Sequence, residues 1–316
     1  MKSLLVFALS AIDLSAVAAP LRFLSFNIWG DYFKNPVEER QAGVESVILG
    51  HKPDLVSLQE VTPNWWASPL FANMKAAGIE TLRGDETNAL LRAGAPKDFS
   101  KWPKSYVNHE PLCYNAKRLK VLDQGLDFYH LHLQAEKSVT WAVFEDRTDG
   151  RRFMAFATHF WWMAHGKESD MLRELNARHI LQRVEDVRRK WGDIPVIGGG
   201  DLNTRPGSWA YEAFKDAGWQ NAQAYADVKS PLRSHHGNPV RGADGKYHGA
   251  VRTVDNEATN SIDHVFFTPQ SIHALRHDID VSQTALDVSD HSPVIVDFEL
   301  KSLASHSREA NLDDAA

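Results

Sequence analysis

Several apolar segments of the chain end abruptly in carboxylate, amide or imidazole groups. These segments are Ser-Phe-Asn27, Ser-Leu-Gln-Glu60, Ala-Thr-His159, Gly-Gly-Asp201-Leu-Asn203 and Ser-Asp290-His291-Ser-Pro. Polar groups at the ends of buried strands, at the rim of a sheet, are where binding and catalytic sites are commonly built. Each segment alone is weak evidence, because a lone carboxylate is usually solvated and Asp-x-Asn usually forms a turn. Their joint occurrence indicates one site assembled from many strand ends.

The whole set of motifs resembles that of a known superfamily. Together with Ser261-Ile-Asp263-His264-Val-Phe-Phe, the segments are similar to the motif series of the endonuclease/exonuclease/phosphatase superfamily, which includes pancreatic deoxyribonuclease, abasic-site endonucleases, neutral sphingomyelinases and inositol polyphosphate phosphatases. The resemblance runs from about Leu21 to Leu300, and Gly-Asp-Leu-Asn and Ser-Asp-His-Ser-Pro are its most specific parts. It implies a four-layer α/β/β/α sandwich of two packed mixed sheets, in the α/β (α+β) class, with the active cleft at one rim.

The resemblance also implies a divalent-metal site centred on Glu60. Hydrolysis of a phosphodiester requires that its negative charge be neutralised, that water lose a proton and that the leaving oxygen be stabilised. Mg²⁺ and Mn²⁺ take oxygen ligands and keep several waters. We therefore expect Glu60 to be the main ligand of Mg²⁺ or Mn²⁺, with Asn27 and Asp290 assisting it.

The remaining motif residues are assigned to catalysis by the same resemblance. Asp201 and Asn203 are expected to share the nucleophilic water and a phosphate oxygen. His291 is the expected general base or phosphate-stabilising imidazole, and Asp263 would fix its tautomer. The expected partner of His291 across the phosphate is His159. Its imidazole would be held by Glu110, which matches the position of the holding carboxylate in the deoxyribonuclease-like members.

Other histidines near the motifs have more ordinary interpretations. His264 adjoins Asp263 on a predicted strand, so its side chain should point to the opposite face, and we predict a structural role. His235 and His236 lie in Ser230–Ser261, a long segment without periodicity of the kind that is usually functional or disordered. This histidine pair could bind a metal or the substrate, but a solvated pair on a flexible loop is more often incidental, and we prefer that interpretation.

The tryptophans beside the motifs allow two interpretations. Trp29 follows Asn27, and Trp161 and Trp162 follow His159. Indole rings at a catalytic rim can stack on a base or sugar, or enter a lipid interface. Packing in the core or at the rim explains them equally well, and the sequence leaves the choice open.

Hydrophobic patterning predicts the elements that position these groups. Strands are predicted over Leu21–Phe26, Asp54–Leu58, Pro111–Tyr114, Thr140–Phe144, Phe153–Ala157, Ile194–Ile197, Ile262–Phe267 and Val294–Leu300. Helices are predicted over Pro36–Leu49, with Asn35 as N-cap, over Glu168–Trp191 and over Gly207–Gly218. Strand clusters with few helices indicate two sheets packed face to face with helices outside.

The chain begins with the layout of a secretory signal peptide. Lys2 precedes an apolar run and a small-residue stretch that ends at Ala18, so we expect residues 1–18 to be removed and the protein to be secreted or periplasmic. An apolar strand or a retained anchor is the alternative interpretation. The main domain is then 19–301, followed by a polar tail, 302–316, that we expect to be disordered. Cys113 is the only cysteine, so an intramolecular disulfide is excluded.

Composition restricts the expected partners. The formal net charge of −6 and the pI near 6.2 argue against a broad basic surface that would bind long polyanions. We expect a monomer without a transmembrane segment that acts on a phosphoester, either nucleic acid or a phospholipid headgroup. Sphingomyelinase-like or inositol-phosphate phosphatase activity is an alternative, and a non-catalytic binding protein on the same fold is another. A metallopeptidase is disfavoured because no His-Glu-x-x-His motif occurs.

Overall fold

Two large β-sheets form the framework of the protein. The computed structural model describes residues 19–83, 86–98, 107–129, 137–163, 166–251 and 257–301. The predicted signal peptide and the predicted polar tail lie outside the described residues. None of the described helices is long and apolar enough to cross a membrane.

The described part of the chain contains fifteen strands and eight α-helices. The strands are β1 (Leu21–Asn27), β2 (Leu55–Gln59), β3 (Ile79–Leu82), β4 (Leu112–Asn115), β5 (Leu119–Phe128), β6 (Ser138–Asp146), β7 (Arg152–His159), β8 (Val196–Asp201), β9 (Gln220–Asn221), β10 (Val228–Lys229), β11 (Val240–Arg241), β12 (Tyr247–His248), β13 (Asp263–Phe267), β14 (Ile272–Ile279) and β15 (Val294–Leu300). The α-helices are α1 (Gln41–Gly50), α2 (Pro63–Ala67), α3 (Leu70–Ala76), α4 (Glu86–Arg92), α5 (Lys167–Trp191), α6 (Trp209–Asp216), α7 (Ala222–Tyr225) and α8 (Gln283–Val288).

The order of the strands brings the motif residues to one rim. One sheet has the order β10-β14-β15-β1-β2-β4-β3, and the other has the order β5-β6-β7-β8-β13-β9. β1 runs parallel to β2, and β7 runs parallel to β8 in a register that pairs His159 with Asp201. β13 runs antiparallel to β8, so that Asp263 also pairs with Asp201. The carboxyl ends of β1, β2, β7 and β8 therefore meet the start of β13.

The hydrophobic core has three layers that define the sandwich. The layer between the sheets contains Phe23, Phe144 and Phe298, all fully buried. One outer layer packs α5 and α6 on the second sheet, and the other packs α1, α3 and α8 on the first. Replacing a buried phenylalanine of the central layer with alanine is expected to cost about 3–5 kcal/mol. This is the predicted α/β/β/α fold.

Three consecutive glycines allow β8 to sit close to its neighbours. A Cβ atom at Gly199 would lie 1.8 Å from the carbonyl oxygen of His264, and one at Gly200 would lie 1.9 Å from that of Thr158. Across the two sheets, the Ser57 hydroxyl donates to the Gly199 carbonyl over 2.8 Å. A side chain here would push apart the strands that carry the motif residues.

Some predicted boundaries differ from the observed ones. The first helix was predicted from Pro36, but a 3₁₀ turn occupies Val37–Glu39 and α1 begins only at Gln41. Asn35 does not cap it, because its amide bonds the backbone of Phe33 and Gly30 instead. The segment predicted as a long loop, Ser230–Ser261, contains the β11–β12 hairpin, whose Gly249 end packs against Leu286 of α8.

Candidate active site

Asn27 and Glu60, at the ends of β1 and β2, connect the two sheets at the rim. The Asn27 amide donates to Glu60 Oε1 and to Asp201 Oδ2, both over 3.1 Å. The other oxygen of Glu60 accepts from the Gly30 backbone over 2.7 Å. Burial acts to raise the pKa of Glu60, but the charges of His159 and Lys137 outweigh it and hold the pKa below its usual value. Glu60 is therefore an ionised oxygen donor.

Asp201 lies at the centre of the cluster. Its Oδ2 atom lies 3.3 Å from His159 Nε2 and 3.7 Å from His291 Nε2. Its Oδ1 atom accepts from the Asn203 backbone over 2.9 Å, and the Asn203 amide nitrogen lies 3.0 Å from His159 Nε2. Burial acts to raise the pKa of Asp201, but the nearby charges of His159 and His291 outweigh it and lower the pKa strongly.

His291 and Asp263 form a buried imidazole–carboxylate pair. His291 Nδ1 lies 2.7 Å from Asp263 Oδ2, which also accepts from the Ser234 hydroxyl over 2.5 Å. Burial acts to lower the pKa of His291, but the carboxylates of Asp263 and Asp201 outweigh it and raise the pKa well above its usual value. Nε2 of His291 remains directed at Asp201, so the ring presents a proton to the centre of the cluster.

Asp290 adds a second carboxylate beside Glu60. Burial raises the pKa of Asp290 to about 6, the charge of His291 opposes this rise, and the charge of Glu60 adds to it. A carboxyl group that resists ionisation next to other carboxylates is stabilised in its charged form by a bound cation. The donors of Glu60, Asn27 and Asp290 are all oxygen or amide groups, and this set fits a hard divalent cation.

The environment of His159 differs from the expectation. Glu110 Oε1 lies 3.9 Å from His159 Nδ1, which is too far for a hydrogen bond, and Glu110 Oε2 accepts from the Ser138 hydroxyl instead. Lys137 stands closer, with its ammonium nitrogen 2.8 Å from Nδ1 and 3.3 Å from Nε2. The sequence analysis missed Lys137, since a single lysine before a predicted strand carries no motif.

Backbone strain is concentrated at the cluster. Five described residues other than glycine have a positive φ, and three of them are Trp29 (φ 56°), Glu60 (φ 62°) and Asn203 (φ 49°). This conformation costs of order 1 kcal/mol or more for an L-residue and persists where the surrounding contacts enforce it. The loops after β1, β2 and β8 are therefore held by the surrounding contacts in backbone conformations that are unfavourable for isolated segments.

A buried guanidinium fixes two of the site loops to one another. Arg40 donates to the carbonyl oxygens of Ile28 and Trp29, which follow β1, and to that of Val288, which ends α8 just before Asp290. Its guanidinium carbon lies 4.8 Å from the Trp29 ring centroid. Burial lowers the pKa of Arg40 to about 10. The guanidinium therefore sets the distance between the loops that carry Asn27 and Asp290.

The histidine pair of the long segment is held against the cluster, with His235 half-buried and His236 buried, which corrects our interpretation. His236 is 5% exposed, and His235 forms an isolated β-bridge with His291, with the two ring centroids 4.7 Å apart. His264 behaves as predicted, because it is buried and its ring nitrogens contact Asn221 and the carbonyl of Thr204.

An aromatic cavity opens beside the cluster. Its volume is about 320 Å³, and its lining combines Glu60, Asp290 and Lys137 with the rings of Trp29, Tyr32, Phe33 and Trp162. Trp29 is 5% exposed and packs edge-on against Tyr247, whereas Trp162 is 53% exposed. The packing interpretation therefore holds for Trp29, and Trp162 remains available to a ligand.

Comparisons with known proteins agree with the geometry. The model of the Endonuclease/Exonuclease/phosphatase family matches residues 24–291. The fold is similar to that of an endonuclease/exonuclease/phosphatase from Bacteroides vulgatus, with 23% identity, TM-score 0.67, and coverage of 90% of this chain and 100% of that one. A search of curated proteins gave no match.

Two further solved structures illustrate the range of the fold. A mannosyl-6-phosphatase of Bacteroides thetaiotaomicron has 19% identity and TM-score 0.63, with 88% of this chain and 99% of that one covered. The D. rerio TDP2 in complex with a single-stranded DNA product has 16% identity and TM-score 0.60, with 88% and 98% covered.

Fold and site together define a phosphoester hydrolase whose chemistry depends on a divalent metal. The chain belongs to the Endonuclease/Exonuclease/phosphatase family.

Proposed function

We propose that the protein is a secreted, Mg²⁺- or Mn²⁺-dependent phosphodiester hydrolase that acts on a nucleic acid or a phospholipid headgroup. The observation that carries the chemistry is the convergence of Asn27, His159 and His291 on the carboxylate of Asp201, with Glu60 held against Asn27. Export rests on the N-terminal sequence pattern alone.

The metal would be held by Glu60 and Asp290, with Asn27 beside them. A bound divalent cation would neutralise phosphate charge and stabilise the leaving oxygen. The chain's own residues surround that position with ionised oxygen donors on one side and imidazoles on the other. Asp201 and the Asn203 amide are placed to orient a water molecule, since both also contact His159.

The proton is handled by His291. Its Nδ1 is occupied by Asp263, so Nε2 is the atom that faces the phosphate. In its neutral form His291 would accept the proton of the water, and the imidazolium is the form that the carboxylates of Asp263 and Asp201 stabilise. Lys137 adds a positive charge at His159, where a phosphate oxygen would be bound.

Phospholipid headgroups are a second candidate substrate on one specific observation. Tyr32, Phe33 and Trp162 are 49%, 72% and 53% exposed at the mouth of the cavity that contains Glu60. Exposed rings around a catalytic cavity suit either a base or a lipid interface.

The test is a substrate panel on the purified mature chain. Plasmid DNA, RNA, sphingomyelin, an inositol phosphate, a sugar 6-phosphate and bis-p-nitrophenyl phosphate would each be incubated with Mg²⁺, Mn²⁺ or EDTA. We expect hydrolysis of at least one diester with metal and none in EDTA. Activity that persists in EDTA contradicts the metal role, and preference for the sugar monoester contradicts the diester assignment. Recovery of the protein outside the cytoplasm, beginning at residue 19, checks export.

A further inference from the structure

His235 is fixed against His291 by the main chain. The backbone of His236 and of Gly237 donates to the Asp290 carbonyl over 3.0 Å and 3.2 Å, and the Ser292 backbone donates to the Ser234 carbonyl over 2.8 Å. These bonds lie on both sides of His235 and set its register against His291. Its imidazole is therefore positioned by backbone pairing, which a solvated loop residue would lack.

Three potential ligand atoms converge at this point. Those of His235, Asp290 and His291 all lie within 4.8 Å of one another, and the two imidazole centroids are 4.7 Å apart. Nδ1 of His291 is already bound to Asp263, so Nε2 is its free ligand atom. A carboxylate on the far nitrogen is the usual way in which a metal-binding imidazole is oriented. This donor set contains two imidazole nitrogens and one carboxylate. It differs from the set around Glu60, which consists of oxygen ligands.

We propose that His235, Asp290 and His291 form a second cation site that binds a borderline divalent ion such as Zn²⁺, and that the ion bound there inhibits the hydrolase. Imidazole ligands favour Zn²⁺ over Mg²⁺, and Zn²⁺ is commonly held by three protein ligands and one water. The inhibitory part rests on the proposed function, because coordination of Nε2 removes the atom that His291 uses on the water. Asp290 would be shared between the two sites.

Binding is tested first without any substrate. The full-length mature chain, saturated with Mg²⁺, is titrated with Zn²⁺ by calorimetry, and separately with Co²⁺ while its visible ligand-field absorption is recorded. His235→Ala removes one proposed ligand, and His248→Ala is the matched control because His248 is an exposed histidine of the β12 strand in the same segment.

We expect the wild type and His248→Ala to bind one Zn²⁺ with equal affinity and His235→Ala to bind it about tenfold or more weakly. The tetrahedral Co²⁺ absorption should disappear only in His235→Ala. Equal Zn²⁺ affinity in all three proteins overturns the site, as does an equal loss in His248→Ala. A circular-dichroism melt of each protein ensures that folded chains are compared.

Inhibition is tested on each protein against its own rate without Zn²⁺, at fixed Mg²⁺. The Zn²⁺ concentration for half-inhibition should rise about tenfold or more in His235→Ala and stay unchanged in His248→Ala. If the wild type hydrolyses no phosphoester, the proposed function fails while the calorimetry and Co²⁺ spectra still decide the site. If hydrolysis is normal and Zn²⁺ neither binds nor inhibits, only the present inference fails.

Discussion

The two active-site histidines have opposite partners. His291 faces the Asp263 carboxylate at 2.7 Å, whereas His159 faces the Lys137 ammonium at 2.8 Å, with the Glu110 carboxylate farther away at 3.9 Å. A carboxylate on the far nitrogen stabilises an imidazolium. At His159 the Lys137 ammonium takes the corresponding position, and Nε2 lies 3.3 Å from Asp201 Oδ2. The two rings are therefore suited to different tasks: His291 to proton transfer, and His159 with Lys137 to hydrogen bonding with a bound phosphate.

The largest expected effect is that of removing the proton carrier. His291→Ala should lower kcat/KM about 10³-fold, because general acid–base catalysis contributes about 10²–10⁴-fold. Steady-state hydrolysis of bis-p-nitrophenyl phosphate measures this, and His248→Ala is the control for loss of an exposed imidazole. Activity within threefold of wild type would show that His291 does not transfer the proton. The proposed difference in role between His291 and His159 would then be wrong.

The carboxylate of the His291 pair should have the next largest effect. Asp263→Asn is expected to lower kcat/KM about 10²-fold and to lower the pKa of His291, which proton NMR titration of the metal-free protein follows. The raised pKa of His291 contributes stability that is fully present below about pH 6.5 and is lost as the pH rises through the folded-state pKa.

The stability difference between Asp263→Asn and the wild type should thus be larger at pH 6 than at pH 10. Urea denaturation at the two pH values measures it. A difference that is the same at both would mean that Asp263 does not raise the pKa of His291.

Comparison of Lys137→Met with Glu110→Gln tests which of the two side chains His159 depends on for activity. A charge-assisted hydrogen bond contributes about 1.5–3 kcal/mol, so Lys137→Met should lower kcat/KM about 10–100-fold. Glu110→Gln keeps an acceptor for the Ser138 hydroxyl and should lower it less than about threefold. Kinetics of both variants on one substrate give the comparison. A larger loss in Glu110→Gln than in Lys137→Met would show that a carboxylate holds the His159 imidazole. The two histidines would then have the same kind of partner.

An effect on KM is expected at the exposed tryptophan beyond His159. Trp162→Ala should raise KM about fivefold or more for a substrate with a base or other ring, since stacking is worth about 1–3 kcal/mol per base. It should leave the melting temperature unchanged because the ring is 53% exposed. Trp29→Ala serves as the contrasting variant. Because Trp29 is buried, this substitution should lower the stability of the fold. An unchanged KM for every ring-bearing substrate would show that Trp162 does not contact the substrate.

The sequence predicted several strands of the core well, but it missed the inner strand β14 and predicted β8 over Ile194–Ile197 instead of Val196–Asp201. β15 was predicted over its observed range, and β1 and β7 were predicted to within two residues. β5 was missed, since it lies at a sheet edge and the first part of the strand is partly exposed, with exposed polar residues at Lys120 and Gln124. The short helices α2 and α3 were missed too, because five and seven residues show too little of a helical period.

Some residues of the candidate site could be predicted from the sequence, and others could not. Asn27, Glu60 and Asp201 come from motifs at strand ends, and parallel pairing brings such ends together, so their convergence could be anticipated. Lys137 and His235 could not, because they reach the cluster only through tertiary contacts that leave no spacing in the sequence. The catalytic roles themselves stay predictions until the variants are measured.

The Arg40 guanidinium has a consequence for when the protein becomes active. It joins the loop after β1, near the start of the chain, to the end of α8, near its finish, and β1 is completed only when β15 pairs with it. A partly synthesised chain thus possesses Asn27 and Glu60, which bond to each other, but lacks Asp290 and His291. The complete cluster would therefore form only after the segment that contains Asp290 and His291 has packed against the loop that follows β1.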